Sequence, residues 1–133
     1  MAQATTLVLT DRASTPVDHT FTPNGFSPNK EVAFFVESDG TPVGDNRFSV
    51  SLRKSATRRR ASIKLAIPTV ATQTVDGVSN PIVVRVAHVN VDFNFDVAST
   101  VQERKDAIGM IESALGASHA LVNDTIVNLV PVF

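Results

Sequence analysis

The chain has 133 residues, a formal net charge of −1, 43 % hydrophobic residues and no cysteine. That length fits one domain, and the apolar content is too high for a disordered chain. The missing cysteines exclude disulfides, thiolate metal centres and cysteine nucleophiles. The near-neutral total hides an asymmetry: seven of the 12 basic residues, and none of the 13 acidic ones, fall within positions 46–67. A local cationic patch is therefore more informative than the net charge.

In chain order, the N-terminal "MAQATTLVLTDRAS" has no charged leader and only a short apolar run, so neither a signal peptide nor a membrane span is read there. Segments 5–10 ("TTLVLT") and 17–23 ("VDHTFTP") read as the two strands of a hairpin, with "DRASTP" as its turn. Gly25 and Pro28 in "NGFSPNK" read as a break. "EVAFFVES" (31–38) is a third strand and "DGTPVGDN" (39–46) a loop. "RFSVSLR" (47–53) and "RASIKLAIP" (60–68) are two further strands joined by a cationic turn. "VATQTVDGVSNP" (70–81) reads as a polar loop carrying an Asp76-Gly77 turn signal, and "IVVRVAHVNVDFNFDV" (82–97) as the longest strand. The period then changes. Val101, Ile108, Ile111 and Leu115 share a helical face, with Ser99 or Thr100 as cap and Gly116 as terminator. A second helix is expected over about 118–128, with an apolar tail after it. Strands followed by two helices make an α+β arrangement.

Alternation along a strand assigns its residues to two faces. Arg47, Ser49, Ser51 and Arg53 oppose Phe48, Val50 and Leu52. Arg60, Ser62 and Lys64 oppose Ala61, Ile63 and Leu65. His88, Asn90, Asp92 and Asn94 oppose Val89, Val91, Phe93 and Phe95. One face is apolar and needs a cover, which the two helices can supply. The other combines cations with short hydroxyl and amide side chains. Cations suit phosphates, and hydroxyls or amides can bond bases and sugars. An open sheet is a platform on which unpaired RNA bases are read, although any solvated sheet face is polar.

Other chemistries have less support. His19, His88 and His119 lack metal-ligand spacing, and there is no glycine-rich phosphate loop. His88 and Asp92, four apart on one strand, suggest acid–base catalysis only weakly. A self-contained cellular RNA-binding module is one reading this face leaves open, and electron microscopy of the purified protein separates it from a particle-forming one.

The order of "RFSVSLRK", "SIKLAIP", "VATQTVDGVSNPI", "DFNFD" and "DTIVNLVP" resembles that of the coat proteins of small single-stranded RNA bacteriophages, the levivirus family, over nearly the whole chain. The resemblance implies a single domain over 1–133: an N-terminal β-hairpin (1–24), a five-stranded antiparallel sheet (31–97) and two C-terminal α-helices (99–128). It implies an interlocked homodimer with a ten-stranded sheet, each subunit's helices reaching over its partner, and assembly of dimers into a T=3 icosahedral shell. Ala71, Thr72, Gln73, Thr74 and Val75, with Asp76, Gly77, Val78, Ser79 and Asn80, would form the loop around the five-fold and quasi-six-fold axes. Some relatives carry cysteines there; this chain has none, so disulfide cross-linking of its capsomers is excluded.

The resemblance also implies that the polar face lines the shell and binds a hairpin in the phage RNA, repressing translation of the replicase and marking the genome for packaging. Carried over by position, Arg47, Ser49, Ser51 and Arg53 match RNA-contacting positions. Ser62 and Lys64 match base-contacting ones, and Arg60 is expected to meet phosphate. His88, Asn90 and Asp92 match positions on the last strand, and Val32 flanks an adenine pocket. His88 stands where several relatives have a base-stacking Tyr. Lys54, Arg58 and Arg59, at the turn, are expected to be less specific RNA contacts. The expected partners are a second copy of the chain, single-stranded phage RNA and a maturation protein. The expected location is the virion, with assembly in the bacterial host cytoplasm. No enzyme activity, cofactor, metal or membrane association is expected.

Overall fold

The computed structural model describes residues 3–38 and 42–133. Met1, Ala2 and part of the loop read over 39–46, residues 39–41, lie outside the described residues. Six strands follow in order: β1 (Leu7–Thr10), β2 (Asp18–Phe26), β3 (Val32–Glu37), β4 (Asn46–Lys54), β5 (Arg58–Val75) and β6 (Val78–Asp96). A short 3-10 turn, Pro42–Gly44, precedes β4. Helices α1 (Val101–Ala114) and α2 (Ala120–Ile126) complete the chain. One compact unit ends at Asn94 and a second begins at Phe95.

In the first unit the strands neighbour one another in sequence order as one six-stranded sheet. This corrects the expectation of a separate hairpin beside a five-stranded sheet in two ways. First, β2 pairs with both β1 and β3, so the hairpin continues the sheet. Gly25, read as a break, instead lies within β2 at φ +100°, where the β2–β3 register shifts between Pro23 and Phe26. A glycine supplies that backbone conformation without steric cost, and the bulge keeps the strand paired past it. Secondly, residues 58–75 run as one strand through Pro68. The last β4–β5 pair is Arg47↔Ala66, so Pro68 lies beyond β4, where its missing N–H breaks no bond to that neighbour.

The stretch read as a polar loop over 70–81 is likewise corrected. Residues 71–75 extend β5 and residues 78–80 open β6, leaving Asp76 and Gly77 as the turn. Both have positive φ, 51° and 79°, the signature of a tight hairpin turn matched to strand twist. Threonine and valine at 70, 72, 74, 75 and 78 favour extended backbone, so polarity there marks exposed strand and not loop.

On the apolar face Phe48 pairs with Leu65 and with Phe35, and Val50 with Ile63. Phe21 joins them, its ring 5.9 Å from Phe48, and Phe35 lies 6.2 Å from Phe48 edge-on. Among the described residues Phe21 is the one large apolar side chain that is buried, at 3 % exposure. Much apolar surface stays open in the single chain, including Val83, Val84 and Val89 on β6.

In the second unit, Thr100 caps α1 by accepting from the Glu103 amide at 3.2 Å, while Glu103 accepts from the Thr100 amide at 3.1 Å. This reciprocal capping box realises one of the two registers read from sequence. Helix α2 spans less than the expected 118–128. Neither helix contains a buried residue.

Candidate nucleic-acid interface

Strand register arranges the polar face in rows. Arg53 opposes Arg60; Val32 opposes Ser51, which opposes Ser62; Phe34 opposes Ser49, which opposes Lys64; Val36 opposes Arg47, which opposes Ala66. Cations therefore stand at both ends of the face and at its centre, separated by hydroxyls. From β6, His88, Asn90 and Asp92 complete the surface. Arg47, Ser49, Lys64, His88 and Asn90 line one hollow of about 420 Å³. Val32, Ser51, Arg53, Arg60, Ser62 and Asp92 line a second, of about 480 Å³, which shares Ser49, Lys64 and Asn90 with the first. All eleven residues selected from the sequence thus meet on one surface.

Two like charges directly opposite each other repel, and the sheet gives each member of the Arg53–Arg60 pair a carboxylate. Arg53 Nε lies 3.9 Å from Glu31 Oε2, and Arg60 Nη2 lies 3.3 Å from Asp92 Oδ2. Exposed pairs of this kind add little stability; here they offset part of the repulsion between the two guanidinium groups. Ser62 Oγ donates to Asp92 Oδ1 at 2.5 Å. That bond, then Arg60, holds the Asp92 carboxyl below its ordinary range, and the field of Lys64 adds to it. Asp92 is therefore an ionised spot in a cationic surface, engaged by Ser62 and Arg60. Among the described residues Lys64 makes no ion pair, leaving its ammonium available to a phosphate or a base.

The turn cations divide. Lys54 opposes Arg59 on the parity of Phe48 and Leu52, which turns both away from the platform. Arg59 folds back to donate to the Ser55 and Arg58 carbonyls. Only Arg58 shares the parity of Arg60.

Sequence reading missed the contribution of β3 to this face beyond Val32. Phe34 and Val36 lie on it too, and Asn24 of β2 lines the first hollow beside Phe34. The signal was present in "VAFFVE": two consecutive phenylalanines on a strand must take opposite faces.

His19 lies elsewhere. Its Nε2 is 2.7 Å from Asp11 Oδ2 and its Nδ1 2.9 Å from Glu37 Oε1, which also accepts from Asn46 Nδ2 at 2.7 Å. His119 precedes α2, 3.3 Å from Ser113 Oγ.

The comparisons with known proteins agree with this geometry. The sequence matches the levivirus coat protein family over residues 2–133. It is 49 % identical to the capsid protein of Pseudomonas phage PRR1 over 133 residues, spanning 99 % of this chain and all of that one. It is 29 % identical to the capsid protein of Qbeta virus (strain MX1) over 112 residues, 84 % of this chain and 83 % of that one. In fold it is similar to the virus-like particle protein of bacteriophage ESE058, with a TM-score of 0.84, 24 % identity and coverage of 99 % and 100 %. The chain belongs to the levivirus coat protein family.

Proposed function

We propose that this capsid protein assembles as dimers into a closed icosahedral T=3 shell and binds single-stranded phage RNA, including an operator hairpin, on its polar sheet face. In this reading it acts as a non-enzymatic translational repressor of the replicase and as the packager of the genome. The observation that carries the RNA-binding part is the strand register, which gathers Arg47, Arg53, Arg60 and Lys64 among Ser49, Ser51, Ser62 and Asn90 on one surface. Cations attract phosphates, and the short polar groups between them select bases.

Dimer formation is supported by the sheet edge. β6 is the outermost strand, 19 residues long, and an unpaired edge of that length invites pairing. A two-fold axis along it joins two six-stranded sheets and lets helices from one subunit cover apolar surface of the other. The whole chain, 1–133, then behaves as one folding unit whose stability depends on assembly. The tip around Asp76-Gly77 would lie at the five-fold and quasi-six-fold axes. A maturation protein would complete the virion, with assembly in the host cytoplasm.

The test is RNA binding by Lys64→Ala. Affinity for the RNA recovered from the protein's own particles should fall, while electron microscopy still shows uniform shells. Affinity should also decline with salt, log K against log concentration falling by about 0.7–0.9 per phosphate contact. Unchanged binding by the variant together with salt-independent affinity removes the RNA-binding part of the proposal. Monomeric protein with no shells removes the assembly part.

A further inference from the structure

Phe34 is out of keeping with the face it occupies. It is 42 % exposed, the one aromatic that β3 presents on a surface built mostly from cations, hydroxyls and amides, with Val32 and Val36 beside it. Its neighbour Phe35 is already committed to the aromatic cluster on the opposite face. Directly across from Phe34 stands Ser49, and across from Ser49 stands Lys64, so a short side chain separates the ring from an ammonium. Arg47, opposite Val36, is its diagonal neighbour. Phe34 and Lys64 both line both hollows. A flat, accessible aromatic with two cations towards its β4–β5 side suits one ligand class: an unpaired nucleobase stacked on the ring, its flanking phosphates held by Arg47 and Lys64.

We infer that Phe34 is a base-stacking residue, forming a subsite for an unpaired base on the β3 side of the RNA platform. This rests on the RNA-binding reading above and adds to it a specific contact. His88, the other ring in the first hollow, belongs to β6. Three strand spacings separate β3 from β6, about 14 Å, so the two rings cannot clamp one base and each would take its own. The platform then reads two separated bases, with Ser49 of β4 and Lys64 of β5 between them.

The experiment measures binding of the full-length protein to fluorescein-labelled oligoadenylate and to a ribose-phosphate oligomer of equal length without bases. Phe34→Ala and Phe34→Leu should each bind oligoadenylate about 5- to 150-fold more weakly than the parent, the range of one lost stacking contact. Neither should change binding to the abasic oligomer. Phe34→Tyr, which keeps the ring at an exposed position, should retain parental affinity. Phe34→Leu binding oligoadenylate as the parent does overturns the inference, because it would show that apolar bulk suffices. Equal losses on both probes overturn it too, since a base contact cannot weaken a baseless ligand. Lys64→Ala separates the two levels. If it weakens both probes while Phe34→Leu weakens neither, the platform stands and the stacking subsite falls. If the parent binds neither probe, both fall.

Discussion

Phe21→Ala offers the sharpest test of how this sheet is held together. Phe21 is 3 % exposed, sits directly opposite Leu7 of β1, and tilts at 52° to the Phe48 ring with centroids 5.9 Å apart. Phe48 in turn contacts Phe35, so the ring links β2 to β3 and β4 through one aromatic cluster. Truncating a sequestered phenylalanine removes its transfer free energy and leaves a cavity, about 3–5 kcal/mol in all. Of that, about 0.5–1.5 kcal/mol belongs to the aromatic pair. Phe21→Leu keeps most of the volume and should cost under about 1.5 kcal/mol. Val8→Ala is the internal control: Val8 faces away from this cluster and is 53 % exposed, so its truncation should stay within about 0.5 kcal/mol. The assay is guanidinium unfolding of the full chain at one fixed protomer concentration, since self-association contributes to apparent stability. A Phe21→Ala loss no larger than that of Val8→Ala refutes the view that this cluster anchors the N-terminal hairpin to the sheet.

His19 places both ring nitrogens against carboxylates, and only the doubly protonated ring can donate to both. Asp11 and then Glu37 raise its pKa above the ordinary 6.5. Its contribution is therefore complete below 6.5 and is lost as pH rises through the raised value. The Asp11 carboxyl is lowered to about 2, first by the Val17 amide, then by His19 and the Ala13 amide; its contribution is present above 3.8 and lost as pH falls towards 2. Protection factors of the β1 amides, corrected for the intrinsic pH dependence of exchange, should therefore fall on both sides of a mid-acid optimum, and His19→Gln should abolish the alkaline fall; a fall that persists in the variant contradicts the assignment. Gly77→Ala meets nothing within 4 Å, yet φ of +79° strains any side chain, so about 1–2 kcal/mol of local destabilisation is expected. Amide exchange at the β5–β6 tip reads this out, and parental protection there would argue that the turn relaxes to another type.

The helical capping box and the two faces of β4 and β5 were legible because each depends on residues close in sequence. Thr100 and Glu103 are three apart, and Ser49, Ser51 and Arg53 alternate with Phe48, Val50 and Leu52. The extent of β5 was not legible. Pro68 and the polar run after it carry local signals of a break, and only the end of β4 at its neighbour shows why a proline is harmless there. Gly25 misled in the same way: a bulge and a chain break share one local requirement, positive φ, and differ only in whether β3 pairs beyond it.

The sequence by itself determined which side chains share a strand face, that α1 is capped at Ser99 or Thr100, that Asp76-Gly77 carries a turn signal, and which family the chain resembles. Those follow from period, local hydrogen-bond chemistry and motif order, all of which act over a few residues. The tertiary structure decided what stands across from what. Register across strands made Arg53 face Arg60, drew Asp92 to Ser62, and set Phe34 beside Ser49 and Lys64 on the cationic side. Pairing between distant segments depends on the packing of both faces together, which no single segment encodes.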